Sequence, residues 1–158
     1  MPAASTQHAL IAALVIGGLT MAAAWFGASF PPGEWHAALV KPSWNPPNWV
    51  FGPVWTLLYL GMAVAAWMVW KAGGQGTHVA LTLYVIQLVL NAAWSWLFFG
   101  QHRMDLALLD IIVLLVVIVV TCVLFWRIRP MAGILFVPYI LWVTFATALN
   151  AALWRLNA

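Results

Sequence analysis

Amide and aromatic side chains recur at helical spacing in three apolar stretches of this chain. Gln87, Asn91, Trp94 and Ser95 fall at i, i+4, i+7 and i+8, one face of a helix. Tyr139, Trp142, Ala146 and Asn150 run at i, i+3, i+7 and i+11, just behind Pro138, where a kink is predicted. Trp55, Tyr59 and Met62 repeat the spacing in a third stretch. An amide can donate to a ligand carboxylate or carbonyl. An aromatic face can wall a flat apolar ring, and small Ala146 between Trp142 and Asn150 leaves space for one. Three such stripes, turned inward, enclose one pocket. Each also has a plainer reading: amides that join helices at about 0.6–2 kcal/mol each, and rings that pack a bundle or form an interfacial belt. Trp25, Trp70, Trp126 and Trp154 sit near the ends of apolar runs and belong to such a belt.

Other chemistries lack residues. His8, His36, His78 and His102 all fall at loops or helix ends. No helix carries two histidines, so a bis-histidine haem inside the bundle is unsupported. No lysine lies in mid-helix to form a Schiff base, and no Ser–His–acid set or carboxylate pair is spaced for catalysis. Cys122 is the only cysteine, which excludes an intrachain disulfide and a cysteine metal cluster. Asp110, about one turn inside an apolar run, reads as a hydrogen-bonded or interfacial structural carboxylate, with no basic residue clearly at its depth.

The elements that hold these residues must be membrane helices. Of 158 residues, 66% are hydrophobic and 6% charged; a soluble domain carries about 25% charged residues. Segments of about 20 apolar residues span a bilayer. Five qualify, at approximately 8–28, 50–70, 79–99, 106–126 and 131–155, within a single domain covering 1–158. The fold class is therefore all-α: a five-helix transmembrane bundle. The first run is expected to be retained and not cleaved, because it is long for a signal peptide and no Lys or Arg precedes it. Lys71, Arg127 and Arg129 fall on the N-terminal side and Lys41, Arg103 and Arg155 on the other, so charge does not set the orientation. The formal charge of +3 forms no basic patch, and nucleic acid is not expected as a partner.

Three connections are short and one is long. Residues 29–48 are read as a lid over one end of the bundle, with a short surface helix within Glu34–Val40 and a helix start at Asn45. The lid runs into KPSWNPPNWVFGPVWT at 41–56, where Trp44, Trp49 and Trp55 follow Trp35, and Pro42, Pro46, Pro47 and Pro53 stiffen the backbone.

That stretch, with LNAAWSWLFF at 90–99 and VPYILWVTFATALN at 137–150, resembles the translocator protein family, the bacterial tryptophan-rich sensory proteins and the mitochondrial peripheral benzodiazepine receptor. The resemblance runs from about residue 8 to Asn157. It implies a five-helix homodimer that binds porphyrins, notably protoporphyrin IX, and in some members cholesterol and isoquinoline or benzodiazepine ligands. Family pocket positions carry over to Trp44, Pro46, Trp55, Asn91, Tyr139, Trp142 and Ala146. Trp55 and Trp142 match the pair implicated in light-dependent porphyrin breakdown. The implied function is a membrane receptor or sensor that regulates tetrapyrrole levels. Porphyrin photodegradation and tetrapyrrole or sterol transport are the alternatives, and an oligomerising scaffold built on the Ala9, Ala13, Gly17 face is a fourth reading. No cofactor is required, and porphyrin enters as ligand. As a bacterial member the chain is expected in the cell membrane, inner or outer left open. Two positions depart from the pattern. His36 stands where an aromatic often follows the loop tryptophan, and Ala151 replaces the aromatic that sterol-responsive members carry after Leu-Asn, so sterol binding is expected to be weak.

Overall fold

A computed structural model describes residues 6–158. Long apolar runs free of charge can satisfy their backbone in a membrane only as helices. Five do so: α1 (Thr6–Ala28), α3 (Phe51–Ala72), α4 (Thr77–Ser95), α5 (Met104–Ile128) and α6 (Pro130–Asn157). All are long and apolar enough to cross a bilayer. A short helix, α2 (Glu34–Ala38), lies in the first connection, as expected. α1, α5 and α6 overrun the expected spans by one or two residues at their ends, where polar residues extend the helix into the interface, while α4 gives way at Trp96 to a π-helical turn.

The long helices close a ring in the order α1, α3, α6, α5, α4 and back to α1. Tight links enforce antiparallel neighbours. Arg129 alone joins α5 to α6. That corner requires Gly133, since a Cβ there would lie 2.8 Å from Trp126 Cβ and 2.9 Å from its Cα. The α3–α4 turn uses Gly73, Gly74 and Gly76, all at positive φ.

Prolines set where α3 begins. Asn45 does not start it: its Nδ2 donates to Pro46 O at 3.0 Å, and helical turns begin only at Asn48. Residues before proline avoid the helical region, so the Pro46-Pro47 pair delays the helix by three residues. Pro138, where a kink was expected, sits inside α6, which runs unbroken from Pro130 to Asn157.

The two halves of the bundle differ. Toward the N-terminal face the interior is solid. Tyr84, Phe125 and Phe136 pack ring on ring beside Ala65, Ala66 and Ala80. Toward the lid a smaller cluster of Phe98, Met104, Ala107, Leu149 and Leu153 leaves room beside it. Trp25, Trp126 and Trp154 are exposed at helix ends, as a belt requires, whereas Trp70 packs against the core. Asp110 is half-buried, and its Oδ2 finds no hydrogen-bond partner among the described residues, so the hydrogen-bonded role expected for that oxygen is not realised.

Candidate functional site: a cavity under the lid

The polar stripes meet in one chain of hydrogen bonds at mid-bundle. Tyr59 Oη donates to Asn91 Oδ1 at 2.8 Å, and Asn91 Nδ2 donates to Tyr139 Oη at 2.7 Å. Tyr139 Oη in turn donates to Gln87 Oε1 at 2.7 Å, and Gln87 Nε2 lies 3.6 Å from Met62 Sδ. Nearby, Thr20 Oγ1 and Tyr84 Oη share a 2.6 Å bond. A second junction forms higher up. Trp94 Nε1 donates to Asn150 Oδ1 at 3.0 Å while Asn150 Nδ2 donates to Met104 O at 2.9 Å, tying α4, α6 and the start of α5. Gln87, Asn91 and Asn150 thus all tie helices together in this structure.

Above this floor a cavity of about 690 Å³ opens beneath the lid. Of the candidate residues, Trp55, Tyr59, Asn91, Trp94, Trp142, Ala146 and Asn150 line it. Trp44, Pro46, Gln87 and Tyr139 do not; Trp44 packs on Phe145 at 5.8 Å and Tyr139 is wholly buried below. Most of the lining is apolar carbon. One polar group stands out: Trp142 Nε1 is buried with no acceptor among the described residues. Its ring is fixed by Phe51 at 5.6 Å and Phe145 at 5.4 Å.

The structure adds wall residues that the spacing did not assign to a pocket. Gly17, Thr20, Ala24, Gly27 and Ala28 of α1 form a thin wall, whose run of small residues was the available clue. Phe98 and Phe99 also line the cavity. The chain widens to a π-helical turn over Trp96–Gly100, and such turns recur at functional sites. α5 contributes nothing to the wall.

The lid is held at several points. Asn157 Oδ1 accepts from Val40 N and its Nδ2 donates to Val40 O, both at 2.9 Å. Trp35 stacks on His102 at 4.2 Å and meets Phe98 edge-on at 5.8 Å. Lys41 Nζ donates to the carbonyls of His36, Ala37 and Leu39 at 2.6, 3.2 and 3.2 Å, completing the C-terminus of α2. His36, buried in the lid, lines the cavity, and burial followed by the Lys41 charge holds its pKa below the ordinary value. Among the described residues no three His, Cys, Asp or Glu side chains gather. What the site offers is a largely apolar aromatic slot, an architecture for binding.

The same architecture has named relatives. A family model described as the TspO/MBR family matches residues 9–155. The tryptophan-rich protein TspO of Chlorobaculum tepidum is 42% identical over 96% of this chain and 98% of its own. The human translocator protein is 43% identical over 83% of this chain and 81% of its own. Protein CrtK of Rhodobacter capsulatus is 42% identical over 83% of each. With a family match that takes in the lid and nearly the full length of all five spanning helices, this multi-pass integral membrane protein belongs to the TspO/MBR family.

Proposed function

We propose that the chain is a membrane receptor or sensor for porphyrin-type tetrapyrroles, bound under the lid, and that this binding regulates tetrapyrrole levels. The observation that carries the reading is the cavity itself, about 690 Å³, walled by the rings of Trp55, Trp94 and Trp142. Ligand sites of about 300–1,000 Å³ are mostly apolar with a few oriented polar groups. Relatives named as sensory and translocator proteins support a sensing role. Trp55 and Trp142 stand on the same cavity, so light-driven porphyrin breakdown with these rings as electron donors is the second reading. The proposed assembly is a homodimer, and sterol is proposed to bind more weakly than porphyrin because Ala151 lacks a ring.

The test is quenching of tryptophan fluorescence by protoporphyrin IX in the dark, followed by illumination and absorbance. Saturable quenching with stable pigment supports the receptor. Pigment loss that disappears in the Trp55→Phe/Trp142→Phe double variant moves the assignment to photochemistry. Absence of saturable quenching in the wild type refutes the porphyrin assignment.

A further inference from the structure

The roof of the cavity carries a metal-ligating side chain that porphyrin binding alone does not use. His36 is only 8% exposed and lines the cavity. Its ring stands edge-on to Phe98 at 6.3 Å and Phe99 at 5.5 Å. Neither ring nitrogen hydrogen-bonds to a described residue. The backbone beneath it is pinned by the 2.6 Å bond from Lys41 Nζ to His36 O.

We infer that His36 is an axial ligand for the metal of a metal-centred tetrapyrrole, an iron or zinc porphyrin, held under the lid. The inference rests on the porphyrin reading and narrows it. A protein holding a bare structural zinc supplies about four ligands, and among the described residues no cluster of even three is present. One imidazole is too few for an ion but is sufficient for a metalloporphyrin. The macrocycle already supplies four nitrogens, and a single histidine takes the axial position, as at the proximal side of haem. The step forms one nitrogen–metal bond, displaces any axial water and changes no oxidation state. The neutral ring needed to donate its lone pair is the form that burial favours. The sequence marks the same residue independently, since His36 occupies a lid position where the family resemblance leads one to expect an aromatic.

The experiment titrates the full chain in detergent, in the dark, with metal-free protoporphyrin IX and with its ferric and zinc complexes. Wild type is compared with His36→Phe and His36→Gln, the second keeping a polar side chain in case the first does not fold. Wild type is expected to prefer the ferric complex by about tenfold or more, with a shifted Soret band and an iron–imidazole stretch in the resonance Raman spectrum. Both variants are expected to lose that preference and that mode, so that ferric and metal-free rings bind within about twofold of one another. Equal binding of metal-free and ferric rings by wild type, or no iron–imidazole stretch, overturns the role of His36 and leaves the porphyrin reading standing. An iron–imidazole stretch that persists in the variants assigns the ligand elsewhere and also overturns it. Failure of wild type to bind any of the three rings overturns both.

Discussion

Replacing Asn91 with leucine cuts the interior polar chain at its centre. The amide accepts from Tyr59 Oη at 2.8 Å and donates to Tyr139 Oη at 2.7 Å, so one substitution removes two interhelical bonds. Inside membranes such bonds average about 0.6 kcal/mol and reach about 1.7 kcal/mol. Tyr139 keeps Gln87 Oε1 as its acceptor at 2.7 Å, but the Tyr59 hydroxyl is left without one. An orphaned buried donor costs about 1–3 kcal/mol. Leucine nearly conserves the volume, so a cavity penalty is small. The expected loss is about 2 kcal/mol, read as the shift in a denaturant titration of helicity in mixed micelles. Coupling to Tyr59→Phe isolates the pair: in a double-mutant cycle the two changes should cost less together than separately, by about 0.6 kcal/mol or more. A loss under about 0.5 kcal/mol with no coupling would falsify the view that this network ties α3, α4 and α6 together.

The remaining predictions contrast the cavity, the lid and the tightest corner. Trp142→Phe removes an N–H that has no acceptor; stability is expected to hold within about 0.5 kcal/mol while porphyrin affinity in the quenching titration drops roughly two- to tenfold. Asn157→Ala removes both bonds to Val40; residues 39–48 are expected to exchange amide hydrogens faster with the spanning helices unchanged, and unaltered lid exchange refutes the latch. Gly133→Ala drives a methyl to within 2.8 Å of Trp126 Cβ; the cost is expected to be about 1–3 kcal/mol by thermal unfolding, and a neutral result refutes the close approach. The His36 pKa is lowered in the folded lid, by burial first and by Lys41 second. Its contribution is therefore complete above the ordinary histidine value of about 6.5 and is lost as pH falls below it, where the opened lid takes up a proton that the closed lid resists. Lid proteolysis should accelerate over that window in wild type and not in His36→Phe.

The helices were legible because each is a long apolar run interrupted only at its ends, and because every charged residue but Asp110 marks a boundary. The start of α3 was less so. Asn45 resembles a cap, yet two consecutive prolines hold the preceding backbone extended, and no side-chain bond from Asn45 reaches a helix N–H. Periodicity correctly placed Gln87, Asn91, Tyr139 and Asn150 inside, but it cannot say whether an amide faces a ligand or a neighbouring phenol. That choice depends on partners 48 to 56 residues away, such as Tyr139 for Asn91 and Asn150 for Trp94. The lid latch was invisible for the same reason, since Val40 and Asn157 are 117 positions apart.

The contribution of α1 shows most clearly how the sequence shapes the site. Ala9, Ala13 and Gly17 read as a helix–helix contact face, and yet Gly17, with Ala24, Gly27 and Ala28, lines the cavity. Small side chains bring a neighbouring backbone close only where that neighbour can follow. Here α3 and α4 are tied to one another by the Tyr59–Asn91 bond, and α4 to α5 by the Tyr84–Phe125 stack below it. With the floor braced, the missing side chain at Gly17 remains as open space, whereas at Gly27 it admits Ser95, whose Oγ would lie 3.2 Å from an added Cβ. The solid half of the bundle is in this sense a condition for the hollow half. Filling the wall should therefore shrink the cavity without loosening the fold: Gly17, whose added Cβ meets nothing within 4 Å, has room for a larger side chain.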